Sequence, residues 1–244
     1  MIDQFGRRVE YLRVSVTDKC NLRCIYCMPL EGLTWLKRDE LLNYEEIETV
    51  IRTMAGMGLR RVRITGGEPL IRRDLPDLIR KISAIPEIED LSLSTNAVLL
   101  ADQAQDLRDA GIQRLNISLD SLQQDRVDEI ARRPGSFPKI FEGLEAAERV
   151  GFAPIKVNVV LIRGRNDDEI EDFARITKER PWHVRFIEMM PTGSNLDLSA
   201  NSFVSCQEAL TRVRAIDQLE PVDGPFVNGP ADYYRFPDAP GTVG

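Results

Sequence analysis

Three of the chain's four cysteines fall within eight residues, Cys20-Asn21-Leu22-Arg23-Cys24-Ile25-Tyr26-Cys27. Thiolates are soft ligands that suit zinc or iron-sulfur clusters. A loop carrying three of them can cover three corners of a 4Fe-4S cubane and leave the fourth iron open. An open iron is a place for chemistry. A structural zinc would need a fourth ligand, for which only the distant Cys206 and the single histidine, His183, are at hand. A third reading stacks the cysteines at i, i+4 and i+7 on one helix face as small buried residues. Asn21 and Arg23 between them, with Pro29 just after, argue for a loop instead.

Such a loop needs a frame, and short β-branched runs supply one. Residues 11–16, 61–65, 90–95, 114–119, 155–160 and 183–187 read as strands, separated by amphipathic helical patterns at 44–57, 75–85, 101–110, 137–150 and 167–179. Asn43 with Glu46 three residues on resembles a capping box, and Gly58, Gly111 and Gly151 each follow a helical pattern as a C-terminal cap would. Alternating strands and helices predict a parallel α/β sheet with right-handed crossovers. About six βα units fall short of the eight that close a barrel, so the expected fold is an incomplete TIM-type barrel. Ligands of such folds sit at the carboxyl ends of the strands, where the cysteine loop follows the first strand.

Two further features belong to those strands. Arg13, Arg63, Lys156 and Arg185 stand in runs that should be almost wholly apolar, and a buried unpaired cation is costly. Any one of them could be snorkelling or salt-bridged; four on four strands point to convergence on a polyanion, since guanidinium groups grip phosphate oxygens in pairs. Gly66-Gly67-Glu68-Pro69 follows the second strand, where glycines let a ligand approach the backbone, although a plain turn would look similar.

Composition narrows the classes. The net charge of -7 disfavours nucleic acid or an anionic membrane as principal partner. The start lacks the basic and apolar regions of a secretory signal, and no apolar run approaches the roughly 20 residues that span a bilayer, so a cytoplasmic protein is expected. Grouped cysteines there read as metal ligands rather than disulfides. One histidine excludes a three-histidine zinc hydrolase, and His183, at a strand start, reads as structural. With 43% apolar residues, one main core is the default. After Met190, Pro191-Thr192-Gly193-Ser194-Asn195 reads as a link between a barrel, 1–195, and an extension, 196–244. The extension has one helix at 205–215, in which Cys206 would be a small core residue. Its Pro- and Gly-rich tail has Tyr233-Tyr234-Arg235-Phe236 as the strand-like run.

The CxxxCxxC spacing, with aromatic Tyr26 just before the third cysteine, resembles the radical S-adenosylmethionine (SAM) signature. Asp3-Gln4-Phe5-Gly6-Arg7, Leu12-Arg13-Val14-Ser15-Val16-Thr17-Asp18, Tyr26-Cys27-Met28-Pro29, Arg63-Ile64-Thr65-Gly66-Gly67-Glu68-Pro69-Leu70 and Phe186-Ile187-Glu188-Met189-Met190-Pro191 together resemble the MoaA family, nearly end to end. Those proteins are the GTP 3',8-cyclases of molybdenum cofactor biosynthesis. The resemblance implies a 4Fe-4S cluster on Cys20, Cys24 and Cys27 and SAM chelated to the open iron. It also implies SAM contacts from Tyr26, Gly67, Ser118 and Met190, and GTP contacts from Arg13, Arg63, Ser94, Lys156 and Arg185. Asn96 belongs to the same nucleotide-touching strand end, although Ser94 and Ala97 stand where the family commonly reads Thr-Thr-Asn-Gly.

By the same resemblance, an electron donor reduces the cluster and SAM yields a 5'-deoxyadenosyl radical. That radical abstracts the ribose 3' hydrogen of GTP, and the sugar carbon closes on guanine C8. Members continue into a region with three further cysteines for a second 4Fe-4S cluster; here only Cys206 remains, so the sequence looks like a piece of a longer protein, impaired in product formation. A homodimer is among the assemblies open to it. Two other readings stay open: a radical SAM enzyme acting on peptides or sulfatases, and a non-catalytic fragment that binds a cluster and SAM.

Overall fold

The computed structural model describes residues 2–191, 195–222 and 231–244. Its elements run β1 (Tyr11–Ser15), α1 (Tyr44–Gly56), β2 (Arg61–Thr65), α2 (Leu75–Ser83), β3 (Asp90–Thr95), α3 (Ala104–Ala110), β4 (Arg114–Ser118), α4 (Gln124–Ala131), α5 (Ser136–Arg149) and β5 (Ile155–Leu161). Then come α6 (Ile170–Ile176), β6 (Trp182–Glu188), α7 (Leu196–Asn201), α8 (Cys206–Arg214), β7 (Glu220–Pro221), β8 (Tyr234–Arg235) and β9 (Thr242–Val243). All six expected strands form within a residue or so of their expected ends. The chain packs as two compact units, residues 1–21, 34–116 and 142–152 in the first, residues 22–33, 117–141 and 153–244 in the second.

In the first unit β1, β2 and β3 are parallel neighbours, with Leu12 opposite Val62 and Val62 opposite Leu91. The alternation is the period of two that one buried face imposes. Val62, Ile64, Leu91 and Leu93 are buried on one side, while Arg13, Arg63 and Ser92 stand in one row on the other. Gln113 N–H donates to Leu91 O (2.9 Å), which brings the start of β4 alongside β3. The α1 capping box is present: Asn43 Oδ1 accepts from Glu46 N–H (2.9 Å) and Glu46 Oε2 from Asn43 N–H (2.8 Å). Ile47, Ile51 and Ala55 form the buried stripe of α1. Gly111 ends α3 at φ 116°, in the left-handed region that a side chain would strain.

In the second unit β5 and β6 are parallel, β9 adds parallel to β6, and β8 and β7 continue antiparallel. The tail's strand-like residues, Tyr234 and Arg235, therefore extend this unit's sheet. Leu119 N–H donates to Asn158 O (3.0 Å), joining the end of β4 to β5. Two helices form where the sequence reading placed none, α4 and α7. Of the expected link, Thr192, Gly193 and Ser194 lie outside the described residues, as do residues 223–230 of the tail.

Candidate active site

The cysteines sit on a loop, not a helix. Its approach, in the first unit, is braced by backbone. Gly67 N–H donates to Thr17 O (2.7 Å) and Glu68 N–H to Lys19 O (2.8 Å), so the turn after β2 holds the segment leading to Cys20. A Cβ on Gly67 would lie 2.2 Å from Lys19 O and 2.6 Å from Asp18 O, and one on Gly66 would lie 2.6 Å from Thr17 O. The close approach those glycines permit is made by the chain's own backbone. Glu68 is buried and accepts from Leu70 N–H (3.1 Å), Thr95 Oγ1 (2.7 Å) and Asn96 N–H (2.7 Å). Burial raises its pKa, against the pull of those three donors. Asn96 Nδ2 donates in turn to Asn21 Oδ1 (2.7 Å) and approaches Cys20 Sγ at 3.9 Å.

The remainder of the loop, in the second unit, hangs from the C-terminal end of α4. Arg23 N–H donates to Ala131 O (3.0 Å) and Ile25 N–H to Ile130 O (2.9 Å), using carbonyls that a helix end leaves without intrahelical partners. Cys27 and Met28 N–H both donate to Cys24 O (2.9 Å each), winding Cys24 to Cys27 into a turn. Tyr26 is fixed at both ends. Its hydroxyl donates to Asp120 Oδ2 (2.7 Å) and its carbonyl accepts from Asn195 Nδ2 (2.6 Å). Asp120 Oδ1 accepts from Val160 N–H (2.9 Å). Burial pushes its carboxyl up to about 6, although both hydrogen bonds work the other way.

The basic residues divide likewise. Arg13 is exposed, because β1 pairs only with β2 in its unit and its side chain reaches solvent. Arg63, opposite it in register, is half-buried, donates to Ser92 Oγ at 3.5 Å and lies 5.3 Å from the Tyr11 ring centroid. Ser94, on the same strand as Ser92, is half-buried. In the second unit Lys156 is 3% exposed and packs 5.7 Å over the Tyr233 ring, while Arg185 donates from Nε and Nη2 to Asn158 Oδ1 (2.9 and 2.5 Å). The expectation of four buried cations therefore holds for Lys156 alone. His183 stands in register between Lys156 on one neighbouring strand and Thr242 on the other. Burial first, then Lys156, Arg235 and Arg185, lower its pKa to about 4. Both His183 Nδ1 and Thr242 Oγ1 are buried without hydrogen-bond partners.

Ser118 ends β4 exposed, and Met190 is 72% exposed, so the core filler at this point is its neighbour Met189, packed with Ile130 and Ile162. Cys206 differs from expectation too: it opens α8 exposed rather than as a core residue. Residues that no short motif announced are Asn158, Asn166 and Asn195. Asn166 is fully buried and donates from Nδ2 to Asp120 O (2.6 Å) and Val160 O (2.8 Å), tying the end of β4 to that of β5.

No cysteine is in a disulfide. Three thiols on a braced loop, with no carboxylate or histidine among them, have the chemistry that suits an iron-sulfur cluster. Among the described residues no three His, Cys, Asp or Glu side chains gather about one point as ligands of a single ion; a cubane takes one thiolate per iron. No helix among those residues is long and apolar enough to cross a membrane.

Residues 14–176 match the model of the radical SAM superfamily. The chain is 48% identical to a GTP 3',8-cyclase of Pelotomaculum thermopropionicum over 245 aligned residues, 100% of this chain and 75% of the relative. It is 49% identical to a GTP 3',8-cyclase of Listeria monocytogenes serotype 4b, over 99% of this chain and 73% of the relative. Among solved structures, Streptococcus suis SuiB bound to S-adenosylmethionine superposes with a TM-score of 0.65 at 16% identity, over 85% of this chain and 46% of that one. That likeness shows the fold, the incomplete βα barrel. With its cysteine loop carried after the first strand and its identity to cyclases running from end to end, the chain belongs to the GTP 3',8-cyclase family of radical SAM enzymes.

Proposed function

We propose how this chain's residues divide the work of its family's reaction, the conversion of GTP to (8S)-3',8-cyclo-7,8-dihydroguanosine 5'-triphosphate in molybdenum cofactor biosynthesis. Near 50% identity over the whole chain carries the reading. Cys20, Cys24 and Cys27 hold the 4Fe-4S cluster, and the family signature assigns Tyr26, Gly67, Ser118 and Met190 to SAM. When bound, the cluster and SAM would supply the radical chemistry that activates the ribose of GTP. The chain's own task is to bind, orient and exclude water, since the cofactors carry the difficult step.

Tyr26, held by Asp120 and Asn195, presents a fixed aromatic face. Arg13, Arg63, Ser94, Lys156 and Arg185 are the residues assigned to the nucleotide, the cations to its triphosphate. A phosphate oxygen accepts from a guanidinium more strongly than the neutral Ser92 hydroxyl or Asn158 amide now does. The electron for that chemistry would come from an external donor. Residues 1–195 form the barrel and 196–244 an extension; the protein works in the cytoplasm, with a homodimer among its possible assemblies.

Anaerobic reconstitution tests this. Loaded protein should hold about four irons per chain, as one cubane requires. With dithionite and SAM it should release 5'-deoxyadenosine. Cys24→Ala should abolish both, and a loaded cluster that never cleaves SAM would refute the enzymatic reading. Arg63→Ala and Arg185→Ala should each weaken GTP binding by about 1.5 to 3 kcal/mol; unchanged calorimetric affinity in both would return them to purely structural roles.

A further inference from the structure

The carboxamide of Asn96 is held at its oxygen, and its nitrogen stands beside the first cysteine of the loop. Its backbone N–H is held by Glu68 Oε2 (2.7 Å), and its Oδ1 accepts from Val98 N–H (3.1 Å). That acceptor bond fixes which way the amide points, so Nδ2 faces the cysteine loop. Nδ2 carries two hydrogens. Nδ2 lies 2.7 Å from Asn21 Oδ1 and 3.9 Å from Cys20 Sγ, the latter a length within the reach of the larger sulfur atom. Glu68 itself is clamped by Thr95, Leu70 and the backbone of Lys19, so the donor rests on a rigid base within one unit.

We propose that Asn96 is a positioning residue for the cluster, donating an N–H···S hydrogen bond to the Cys20 thiolate that orients this ligand and raises the cluster's reduction potential. The physical reason is charge. Reduction adds an electron that is shared over the cluster and its thiolates, and a donor at sulfur stabilises the added negative charge more than it stabilises the oxidised state. A cluster whose task is to reduce SAM must first accept an electron from a donor, and Asn96 eases that acceptance. The Asn96 backbone and Oδ1 hold the strand end; only Nδ2 faces the ligand. A substitution that removes Nδ2 but keeps an oxygen for Val98 N–H therefore separates tuning from framework.

The proposal rests on Cys20 being a cluster ligand, which iron counts on Cys20→Ala test independently. The tuning is read from the midpoint potential of the reconstituted protein without SAM or GTP, by titration followed with electron paramagnetic resonance. Asn96→Ser and Asn96→Asp, checked for fold by circular dichroism and for about four irons per chain, should both be harder to reduce. At one fixed poise the ratio of reduced to oxidised cluster should fall about tenfold, which for a one-electron couple is about 59 mV. Loaded, folded Asn96→Ser with the wild-type potential would overturn the proposal while leaving the ligand assignment intact. Should both variants fail to load, wild-type protein labelled with side-chain 15N asparagine decides. A 15N coupling to the reduced cluster that survives in Asn21→Ala supports the contact, and its disappearance in Asn21→Ala overturns it.

Discussion

The two ends of the cysteine loop are held by opposite means. Ahead of Cys20, backbone lies on backbone: Gly66 and Gly67 press against Thr17, Asp18 and Lys19 at separations that leave no room for a Cβ. Around Tyr26, side chains reach across long spans of sequence, with Asp120 and Asn195 gripping one residue by its hydroxyl and its carbonyl. The first brace is steric, nearly independent of pH, and intolerant of any added atom. The second is polar, tunable and titratable. The cysteine loop thus has a hard side and an adjustable side.

The largest expected effect tests the hard side. In Gly67→Ala the new methyl would meet Lys19 O at 2.2 Å, and the obstacle is main chain rather than a side chain that could swing away. Destabilisation at or above the top of the usual range of about 1–3 kcal/mol for overpacking should follow, together with loss of cluster loading. Urea denaturation and iron counts would check both. A variant of wild-type stability that loads about four irons would mean that backbone contact is not what holds this end.

The next effect, roughly 3 kcal/mol across the acid range, separates two titrating groups in the second unit. Asp120 is raised to about 6 in the folded protein, so between its unfolded pKa near 4 and pH 6 the native state binds the extra proton. Its contribution to stability is full below that unfolded value and is lost as pH rises through 6. His183 is lowered to about 4, so over nearly the same window the unfolded state binds the proton. Its contribution is full above about 6.5 and is lost as pH falls through 4. The slopes oppose each other and largely cancel. In Asp120→Asn, stability of the cluster-free protein should rise from pH 4 to 6.5. In His183→Gln it should fall between pH 4 and 6. Parallel profiles for the two variants would remove the assignment.

How much of this was legible follows from the same contrast. The strands were visible because β-branched runs such as Arg61-Val62-Arg63-Ile64-Thr65 alternate at period two, and Gly66-Gly67 was visible because a steric requirement selects one residue type at adjacent positions. What the glycines approach was not visible, since a ligand and the chain's own carbonyls demand the same absence of Cβ. Helix α4 was missed: Val127, Ile130 and Ala131 are its only buried residues, too few to write a period among Gln124, Asp125, Arg126, Asp128 and Glu129. The polar brace left no pattern at all. Asp120 and Asn195 lie 94 and 169 residues from Tyr26, and a lone Asp or Asn reads as a turn until the fold places it. Arg13 was expected inside because its strand is apolar; an outer strand lets a long cation out.

A smaller effect probes the adjustable side directly. Tyr26→Phe keeps the ring and removes one of the two donors that the described residues give the buried Asp120 carboxylate, leaving Val160 N–H. A loss of about 1–3 kcal/mol at neutral pH is expected, the cost of a buried acceptor short of a partner. It should shrink in the Asp120→Asn background, where no charge is stranded. Additive losses in a double-mutant cycle would mean that the hydroxyl and the carboxyl are energetically independent, whatever their 2.7 Å separation.

The smallest effect belongs to Cys206, which opens α8 and takes part in neither brace. Its backbone N–H donates to Glu188 Oε1 (2.9 Å), a bond that an alanine makes equally well, and its thiol lies 3.6 Å from Phe186 O. Partial burial and the nearby Glu188 carboxylate raise its thiol pKa, disfavouring the thiolate that a metal would require. The cap of the helix, Ser205 Oγ accepting from Glu208 N–H (3.1 Å), does not involve it. Cys206→Ala should therefore change stability by no more than about 0.5 kcal/mol, as an exposed substitution away from such features does, and should leave the iron content at its wild-type value. An iron count reduced in Cys206→Ala would make the fourth cysteine a ligand, and the cubane could no longer be assigned to Cys20, Cys24 and Cys27 alone.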